Sequence, residues 1–345
     1  MSNKAATGAR KKWTIWITAV ILILIVLGYF GHQSMGVYRA LDGLDKPKNE
    51  LRIGSHAEDE TLKPEEWTGT ELVNILLMGG DNRGLKKNES ARSDSLLVAS
   101  INPLTKQARL FSVLRDTYVT IEGHGEGRIN TALALGGPNL AMKTAGSLLG
   151  FHVQYYIYTD FEGFKSLIDA IDGVDLDVEK DMNYTDNADG NVYDIHLKKG
   201  MQKLDGTKAL QYVRFRHDAM SDFSRTERQR KLLAAVADKL KSGWNLTRIK
   251  QIVESVAPYI QTNLDVSDML KLASLGSKSE MAGSAQVPPM DMLEGRNLHG
   301  ASVLAVKNED KVHAYVKELL EGHDSDEYTA GSNTNFGAKA GNGGE

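Results

Sequence analysis

Arginine and aspartate residues lie beside three short apolar segments in the first third of the chain. The segments Val73 to Met78, Leu96 to Ile101 and Leu110 to Leu114 are rich in Leu, Ile and Val, which is typical of short buried strands. If these strands are neighbours in one sheet, their ends bring carboxylates and guanidinium groups to the same edge. The charged residues are Asp81, Arg83, Arg92, Asp94, Arg115 and Asp116.

Such a cluster of charges predicts a particular chemistry. Charged side chains are costly to desolvate unless each has a partner or a ligand. Carboxylates suit a divalent cation, and arginine binds phosphate with a bidentate geometry that lysine lacks. The pattern therefore favours a site for a divalent metal and a phosphate ligand. The alternative is that these residues are ordinary solvated charges in loops after strands, which these segments alone do not exclude.

A long helix is predicted from Arg225 to Lys241, because Ser224 and Glu227 have the S-x-x-E spacing of a capping box. Helix N-termini favour acidic residues, yet this helix would carry Arg225 and Arg228 in its first turn. A bound anion would resolve that conflict, since the free backbone N–H groups there also point at it. The 3.6-residue period places four residues on one face, namely Arg225, Gln229, Leu232 and Val236.

Two further arginines precede this helix. Arg214 and Arg216 alternate at the spacing of a strand, so both side chains are predicted to lie on one side of the chain. A solvated basic helix is the usual explanation for a charge run on its own. Two separate arginine clusters together with the aspartates instead favour a polyanion site with a metal, most simply a pyrophosphate site.

Strands and helices alternate through the middle of the chain. A helix is predicted from Pro138 to Gly150 and a strand from Tyr155 to Tyr158. Asp160 is expected to cap the next helix, which Gly173 ends, and Val174 to Val178 forms another strand. This order predicts an α/β fold in which a central mixed β-sheet is flanked by helices in an αβα sandwich. Later helices are predicted at about 247–260, 266–275 and 311–321, with a strand from Ser302 to Val306.

Composition excludes several classes of protein. The chain has 345 residues, a formal net charge of −4 and no cysteine. A near-neutral protein has no general electrostatic attraction to nucleic acid, so we expect no nucleic-acid partner. The lack of cysteine rules out disulfides, cysteine nucleophiles and cysteine-ligated zinc.

The N-terminus predicts a membrane anchor. The run from Trp13 to Phe30 contains no charged residue and is long enough to span a bilayer core of about 30 Å. Four basic residues and no acid precede it, which places the N-terminus in the cytoplasm. A cleaved signal peptide is the alternative, but the run is longer than usual and no A-x-A site follows. We therefore expect a single-pass type II protein of the cell membrane with its folded domain outside the cell.

These features divide the chain into five parts. The folded domain is expected to follow a charged stalk and to precede a tail rich in Gly and Asn that we predict to be disordered. The predicted parts are a cytoplasmic tail (1–12), a transmembrane anchor (13–32), an extracellular stalk (33–70), a folded domain (71–322, with its motif-bearing core at 74–240) and the disordered tail (323–345).

Seven ordered motifs resemble one known family. They are NILLMGGDNRG, RSDSLLVASINP, LRDTYV, GRINTALALGG, DGVDLDV, LDGTKALQYVRFRHD and DFSRTERQRKLL. Together they cover residues 71–240 and resemble the LytR-CpsA-Psr family of membrane-anchored enzymes. Over the anchor and the C-terminal region the resemblance is one of architecture only.

The resemblance implies an activity. Members of this family move an anionic glycopolymer, such as wall teichoic acid or capsule, from a polyprenyl-pyrophosphate carrier to the C6 hydroxyl of N-acetylmuramic acid in peptidoglycan. A phosphodiester forms, and the prenyl chain enters an apolar pocket between sheet and helices. The implied partners are this lipid-linked polymer, peptidoglycan and the cytoplasmic membrane, and the implied cofactor is Mg²⁺ or Mn²⁺.

The resemblance also implies roles for individual residues. Asp81 and Asp94 correspond to the carboxylates that bind the metal, and Arg115 to the central arginine on the pyrophosphate. Catalysis is expected to depend on these three residues and Arg225. The other positions that match phosphate contacts are Arg83, Arg92, Arg128, Arg214, Arg216, Arg225 and Gln229.

Two other functions stay open from the sequence. The same site could hydrolyse a polyprenyl-pyrophosphate glycan, with water in place of the peptidoglycan hydroxyl. The protein could also be a non-catalytic component of the cell envelope that binds or regulates. Asp116 and Asp218 are candidates for a general base, although attack without a dedicated base is equally compatible with the residues.

Overall fold

The computed structural model of the protein describes residues 64, 67–80, 92–185, 194–216, 221–240, 249–298 and 300–322. Within these ranges, no helix is both long and apolar enough to span a membrane. The predicted anchor from Trp13 to Phe30 and the predicted tail lie outside the described residues. The folded part begins no later than Trp67, which packs against the core just before the predicted start of the domain.

The helices and strands are labelled in chain order. The strands are β1 (Val73–Gly80), β2 (Ser93–Asn102), β3 (Gln107–Val113), β4 (Thr117–Ile121), β5 (Gly125–Arg128), β6 (Tyr155–Asp160), β7 (Val174–Val178), β8 (Met182–Tyr184), β9 (Ile195–Leu197), β10 (Gly200–Leu204), β11 (Ile260–Thr262), β12 (Glu280–Gln286), β13 (Leu293–Leu298) and β14 (Ala301–Val306). The helices are α1 (Ala132–Leu149), α2 (Phe161–Ala170), α3 (Gly206–Arg214), α4 (Ser221–Leu240), α5 (Ile249–Val256), α6 (Val266–Ser277) and α7 (Glu309–Glu321).

A six-stranded mixed sheet forms the centre of the fold. Its strand order is β11-β6-β1-β2-β3-β12. The neighbours of β1 are antiparallel β2 and parallel β6, and β3 lies between antiparallel β2 and parallel β12. The first three predicted strands are therefore neighbours, as the sequence suggested. The predicted α/β class with a central mixed sheet is confirmed.

The alternation of side chains along β1 explains why the sheet is buried on both faces. Ile75 and Leu77 belong to one core cluster, whereas Leu76 and Met78 belong to the other. Successive residues of a strand point to opposite faces, so a continuous apolar run implies cover on both sides. Helices α2 to α6 contribute to the first cluster, and α1, α7 and the four-stranded sheet β13-β14-β4-β5 contribute to the second.

Two local predictions concern helix ends. Helix α1 has non-helical backbone angles at Gly136 and Gly137, directly before Pro138, so the predicted start of a helix at Pro138 coincides with a break in α1. Asp160 caps α2 by accepting a hydrogen bond from the backbone N–H of Gly163 at 2.9 Å. This cap fixes the start of α2 at the end of β6, next to the site described below.

Candidate active site

The ends of several strands form one edge of the central sheet, which we call the rim. Gly80 at the end of β1 pairs with both Ser93 at the start of β2 and Asp160 at the end of β6. Arg115 follows the end of β3, which pairs with the start of β2. The register therefore brings Asp94, Arg115 and Asp160 to the rim. Asp81 and Arg83 lie outside the described residues.

A glycine is required at position 80, at the end of β1, because no space is left there for a side chain. A Cβ atom at this position would overlap the hydroxyl of Tyr158 and lie 3.0 Å from two of its ring carbons, and Tyr158 is fully buried. The same atom on Gly79 would lie 3.4 Å from its nearest neighbour, the Cβ of Ser95, which is an ordinary contact.

We therefore expect Gly80→Ala to destabilise the fold by about 1–3 kcal/mol, the usual cost of overpacking a core. Gly79→Ala is the matched control and should cost less. Urea unfolding of both variants measures the difference. Equal effects of the two substitutions would contradict the crowding argument, and Tyr158→Phe in the Gly80→Ala background should recover part of the loss.

Asp94 and Arg115 form the central ion pair of the rim. Nη1 of Arg115 lies 2.6 Å from Oδ1 of Asp94, and both side chains are partly exposed. Arg115 Nε is 3.5 Å from Oδ2 of Asp116, whose Oδ1 is 3.1 Å from Nη1 of Arg128. The backbone N–H of Asn130 donates to the carbonyl of Arg115 at 3.3 Å. Arg115 is thus held through its backbone and through two carboxylates.

Helix α4 supplies a second arginine to the same place. Nη2 of Arg225 donates to the carbonyl of Asp94 at 3.3 Å, and Arg225 is 5% exposed. One turn later, Oε1 of Gln229 accepts from the hydroxyl of Ser95 at 3.3 Å. Leu232 and Val236 follow in the buried core, so the predicted shared face of this helix is confirmed.

The predicted start of this helix was wrong. Helix α4 begins at Ser221, not at Arg225. The S-x-x-E spacing of Ser224 and Glu227 also occurs inside helices, where it caps nothing. Arg225 therefore lies in the second turn, and its position gives no support to an anion at the helix N-terminus.

Arg228 also differs from its predicted place. The residue is 1% exposed, and its guanidinium donates to the carbonyl of Phe215 and lies 3.3 Å from Oε1 of Glu179. It also stacks on the ring of Phe215, 5.4 Å from the ring centre. These contacts make Arg228 a structural clamp between α4, the end of α3 and the end of β7.

The strand spacing proposed for Arg214 and Arg216 was also wrong. Arg214 is the last residue of α3, and Phe215 is its C-cap with non-helical backbone angles. The chain leaves the helix there, so both arginines still reach the same cavity. The guanidinium of Arg214 lies over the ring of Phe161, 5.5 Å from its centre.

A cavity of about 580 Å³ joins these charged residues to the interior. It lies between the central sheet and helices α2, α3 and α4, and its walls are mostly apolar. Its polar lining residues include Asp94, Ser95, Arg115, Asp160, Arg214, Arg216, Arg225 and Gln229. Its apolar lining residues include Leu77, Leu97, Phe164, Leu167, Leu210, Val213, Leu232, Leu264 and Met269.

The structure separates the predicted site residues into three groups. Arg92 is exposed, and neither it nor Arg128 lines the cavity. The sequence did not single out Phe161 or Ser95, and it identified Asp160 only as a helix cap. A second group, Asp81 and Arg83, lies outside the described residues. The third group lines the cavity together and consists of Asp94, Arg115, Arg214, Arg216, Arg225 and Gln229.

The donor chemistry at the rim fits a divalent cation. In the described part of the chain, no group of three or more Asp, Glu, His or Cys side chains could hold a metal. Mg²⁺, however, commonly takes one or two protein carboxylates and completes its shell with water and phosphate oxygens. Asp94 lines the cavity. Asp81 comes directly after Gly80 in the sequence, and Gly80 pairs with Ser93, the residue before Asp94. The metal assignment stays a prediction.

Comparison with known proteins identifies the family. The model of the LytR_cpsA_psr family matches residues 43–319. The chain is 33% identical over 267 residues to the polyisoprenyl-teichoic acid–peptidoglycan teichoic acid transferase TagU of Bacillus mycoides, covering 76% of this chain and 83% of TagU. It is 31% identical to the regulatory protein MsrR of Staphylococcus aureus, covering 77% of this chain and 80% of MsrR.

Solved structures agree in fold. The family protein YwtF (TagT) with bound octaprenyl pyrophosphate lipid is 27% identical and superposes with a TM-score of 0.55, covering 74% of this chain and 91% of that protein. The family match, the transferase among the relatives and the shared fold agree with one another. The chain belongs to the LytR_cpsA_psr family.

Proposed function

We propose that this chain transfers an anionic cell-wall glycopolymer, such as wall teichoic acid or capsule, from a polyprenyl-pyrophosphate carrier to peptidoglycan. The acceptor is the C6 hydroxyl of N-acetylmuramic acid. Its oxygen attacks the phosphorus that carries the polymer, the bond to the second phosphate breaks, and polyprenyl phosphate leaves. The hydroxyl loses its proton, and the product is a phosphodiester.

The observation that carries this proposal is the shape and charge of the cavity. An apolar chamber that opens among arginines suits a ligand with a long hydrocarbon chain and a polyanionic head. Transfer of a phosphoryl group depends mainly on positioning and on neutralising charge, which preorganised guanidinium groups provide. Arg115 and Arg225 meet at Asp94, so both can reach the same phosphate groups.

Asp94 and Asp81 would hold Mg²⁺ or Mn²⁺, which when bound neutralises charge on phosphate oxygens. Arg214 and Arg216 would extend the set of phosphate contacts from the other wall of the cavity. We also propose that the chain is anchored in the cytoplasmic membrane with this domain outside. Anchoring near a carrier that stays in the bilayer raises the effective concentration of the substrate.

A transfer assay tests the proposed reaction. The full chain is incubated with a labelled lipid-linked glycopolymer, Mg²⁺ and peptidoglycan, and the products are separated by mass. The proposal predicts label joined to muramic acid through a phosphodiester. Free glycan phosphate without a peptidoglycan adduct would identify a pyrophosphatase instead. No turnover of the lipid, with binding to other envelope proteins, would favour a regulatory role such as the name of MsrR suggests.

The apolar part of the cavity gives a separate prediction. Val213 lines the cavity, so Val213→Trp should fill space that the prenyl chain needs. Displacing two buried methylene groups costs about 1.6 kcal/mol, which corresponds to a loss of affinity of about tenfold. Calorimetry should therefore show weaker binding of octaprenyl pyrophosphate but unchanged binding of inorganic pyrophosphate.

The control for this substitution is Leu104→Trp. Leu104 is 73% exposed in the turn between β2 and β3, at the end of the sheet opposite the rim. It should leave the affinity for both ligands unchanged. If Val213→Trp weakened the binding of both ligands equally, the cavity would not be the site of the prenyl chain.

A further inference from the structure

We infer that Asp116 and Arg128 form a positioning pair that orients Arg115 and keeps its guanidinium donors available to the ligand. This inference rests on the proposed function, in which Arg115 contacts the pyrophosphate. It assigns Arg128 a different role from the direct phosphate contact that the family resemblance implies. Arg128 would act through Asp116 and would not touch the substrate.

The contacts form a continuous chain of alternating charges. The Arg115 guanidinium lies between two carboxylates, with Nη1 2.6 Å from Asp94 and Nε 3.5 Å from Asp116. Arg128 binds the other oxygen of Asp116 at 3.1 Å. Asp94 and Arg115 line the cavity, whereas Asp116 and Arg128 do not.

The second sheet holds this pair in place. Arg128 is the last residue of β5 and pairs in register with Tyr118 of β4. The carbonyl of Asp116 accepts a hydrogen bond from the backbone N–H of Leu304 at 2.9 Å. Both members of the pair are therefore attached to the four-stranded sheet, and Arg115 lies in the turn that leads from β3 of the central sheet to β4. The pair sets the position of a cavity residue relative to a second rigid element.

The balance of charge explains why Arg128 is needed. Asp116 is 20% exposed and has two basic neighbours, so Arg128 satisfies one of its oxygens while Arg115 stays at the longer distance. Without Arg128, Arg115 would be the one basic side chain of the described ranges left in an ion pair with this carboxylate. Asp116 would then compete with the phosphate for Arg115, because a nearby carboxylate and a phosphate bind the same guanidinium donors.

A double-mutant cycle distinguishes this role from a direct phosphate contact. Arg128→Ala should weaken the binding of octaprenyl pyrophosphate to the full chain by about tenfold, a coupling typical of residues in one charge network. Asp116→Asn in the Arg128→Ala background should restore most of the affinity, because the competing charge is gone. If Arg128 touched the phosphate directly, Asp116→Asn would give no rescue and the two losses would multiply.

Steady-state transfer kinetics provide a second readout. A misplaced Arg115 should lower kcat as well as affinity. The double variant should recover the affinity but only part of kcat, because asparagine removes the competing charge and keeps one oxygen that can face Nε of Arg115. Arg296→Ala is the matched control, since Arg296 forms an exposed ion pair with Glu294 on β13 of the same four-stranded sheet, at 2.7 Å. It should change neither quantity. Should Arg128→Ala not fold, Arg128→Gln allows the same comparison.

The outcomes separate this inference from the proposed function. Rescue by Asp116→Asn supports the positioning pair. Additive losses with a wild-type chain that binds the lipid would overturn the pair and leave the proposed function intact. A wild-type chain that binds no prenyl pyrophosphate would overturn both.

Discussion

Replacing Arg115 with alanine is expected to lower the rate of polymer transfer by about 100- to 1,000-fold, the usual effect of removing one preorganised charge from a transition state. Arg115 lines the cavity and lies against Asp94. In the proposed reaction it would therefore stabilise the negative charge that develops on the departing phosphate. The two carboxylates that Arg115 contacts are themselves partly exposed, 35% for Asp94 and 20% for Asp116, so its removal should affect thermal stability less than the rate. Transfer kinetics together with a melting curve measure both effects.

Arg115→Lys extends this prediction. Lysine keeps the positive charge but cannot present two parallel N–H donors to a phosphate. Most of the loss should therefore persist in the lysine variant. If Arg115→Lys transferred polymer at the wild-type rate, only the charge of this residue would matter, and the bidentate contact proposed here would be wrong.

Replacing Arg228 with methionine is expected to have the largest effect on stability. Breaking a buried ion pair by removing one partner costs about 3–5 kcal/mol. The Glu179 side chain is 34% exposed, which favours the lower end of that range. The carbonyl of Phe215 also loses its donor. At about 2–4 °C per kcal/mol, the melting temperature should fall by roughly 6–12 °C.

The substitution should also disturb the cavity, because Phe215 lies between Arg214 and Arg216 in the chain. The double variant Arg228→Met with Glu179→Leu should be more stable than Arg228→Met alone, since it leaves no unpaired carboxylate. An Arg228→Met protein with wild-type stability would show that the clamp contributes nothing to the fold.

The dependence of stability on pH in the acid range gives an independent check on the contacts between Arg228 and Glu179. Burial raises the pKa of Glu179, but hydrogen bonds from its own backbone, Tyr212 and Arg228 outweigh burial and hold the pKa below its ordinary value of 4.5. A lowered pKa in the folded state stabilises the protein above the ordinary pKa. That stability is lost as the pH falls through the folded-state pKa. Glu179→Gln should therefore reduce the slope of stability against pH in that range.

Strands β1 to β3 could be predicted from the sequence because their apolar runs are continuous and bounded by charges. Because these strands are neighbours, the charged residues beside them are expected at one edge of the sheet, the rim. By contrast, β12 (EMAGSAQ) has little apolar alternation and is a strand because it pairs with the edge of β3. Tertiary pairing decides such a segment, and no local pattern reveals it.

In the site, too, some features could be predicted from the sequence and others could not. Arg225 and Gln229 were predicted to share a face with core residues because a helical period applies wherever the helix begins. The start of α4 could not be predicted, since a capping pattern has the same spacing inside a helix. The association of Arg128 with Asp116 depends on the pairing of β4 with β5, which places residues distant from the central sheet behind Arg115.

A crystal structure of this chain with octaprenyl pyrophosphate tests the central claim most directly. We expect the two phosphates beside Arg115, Arg225 and Asp94, with the prenyl chain along Leu167, Val213 and Leu232. Phosphates bound away from the two arginines, or a prenyl chain outside the cavity, would contradict the account.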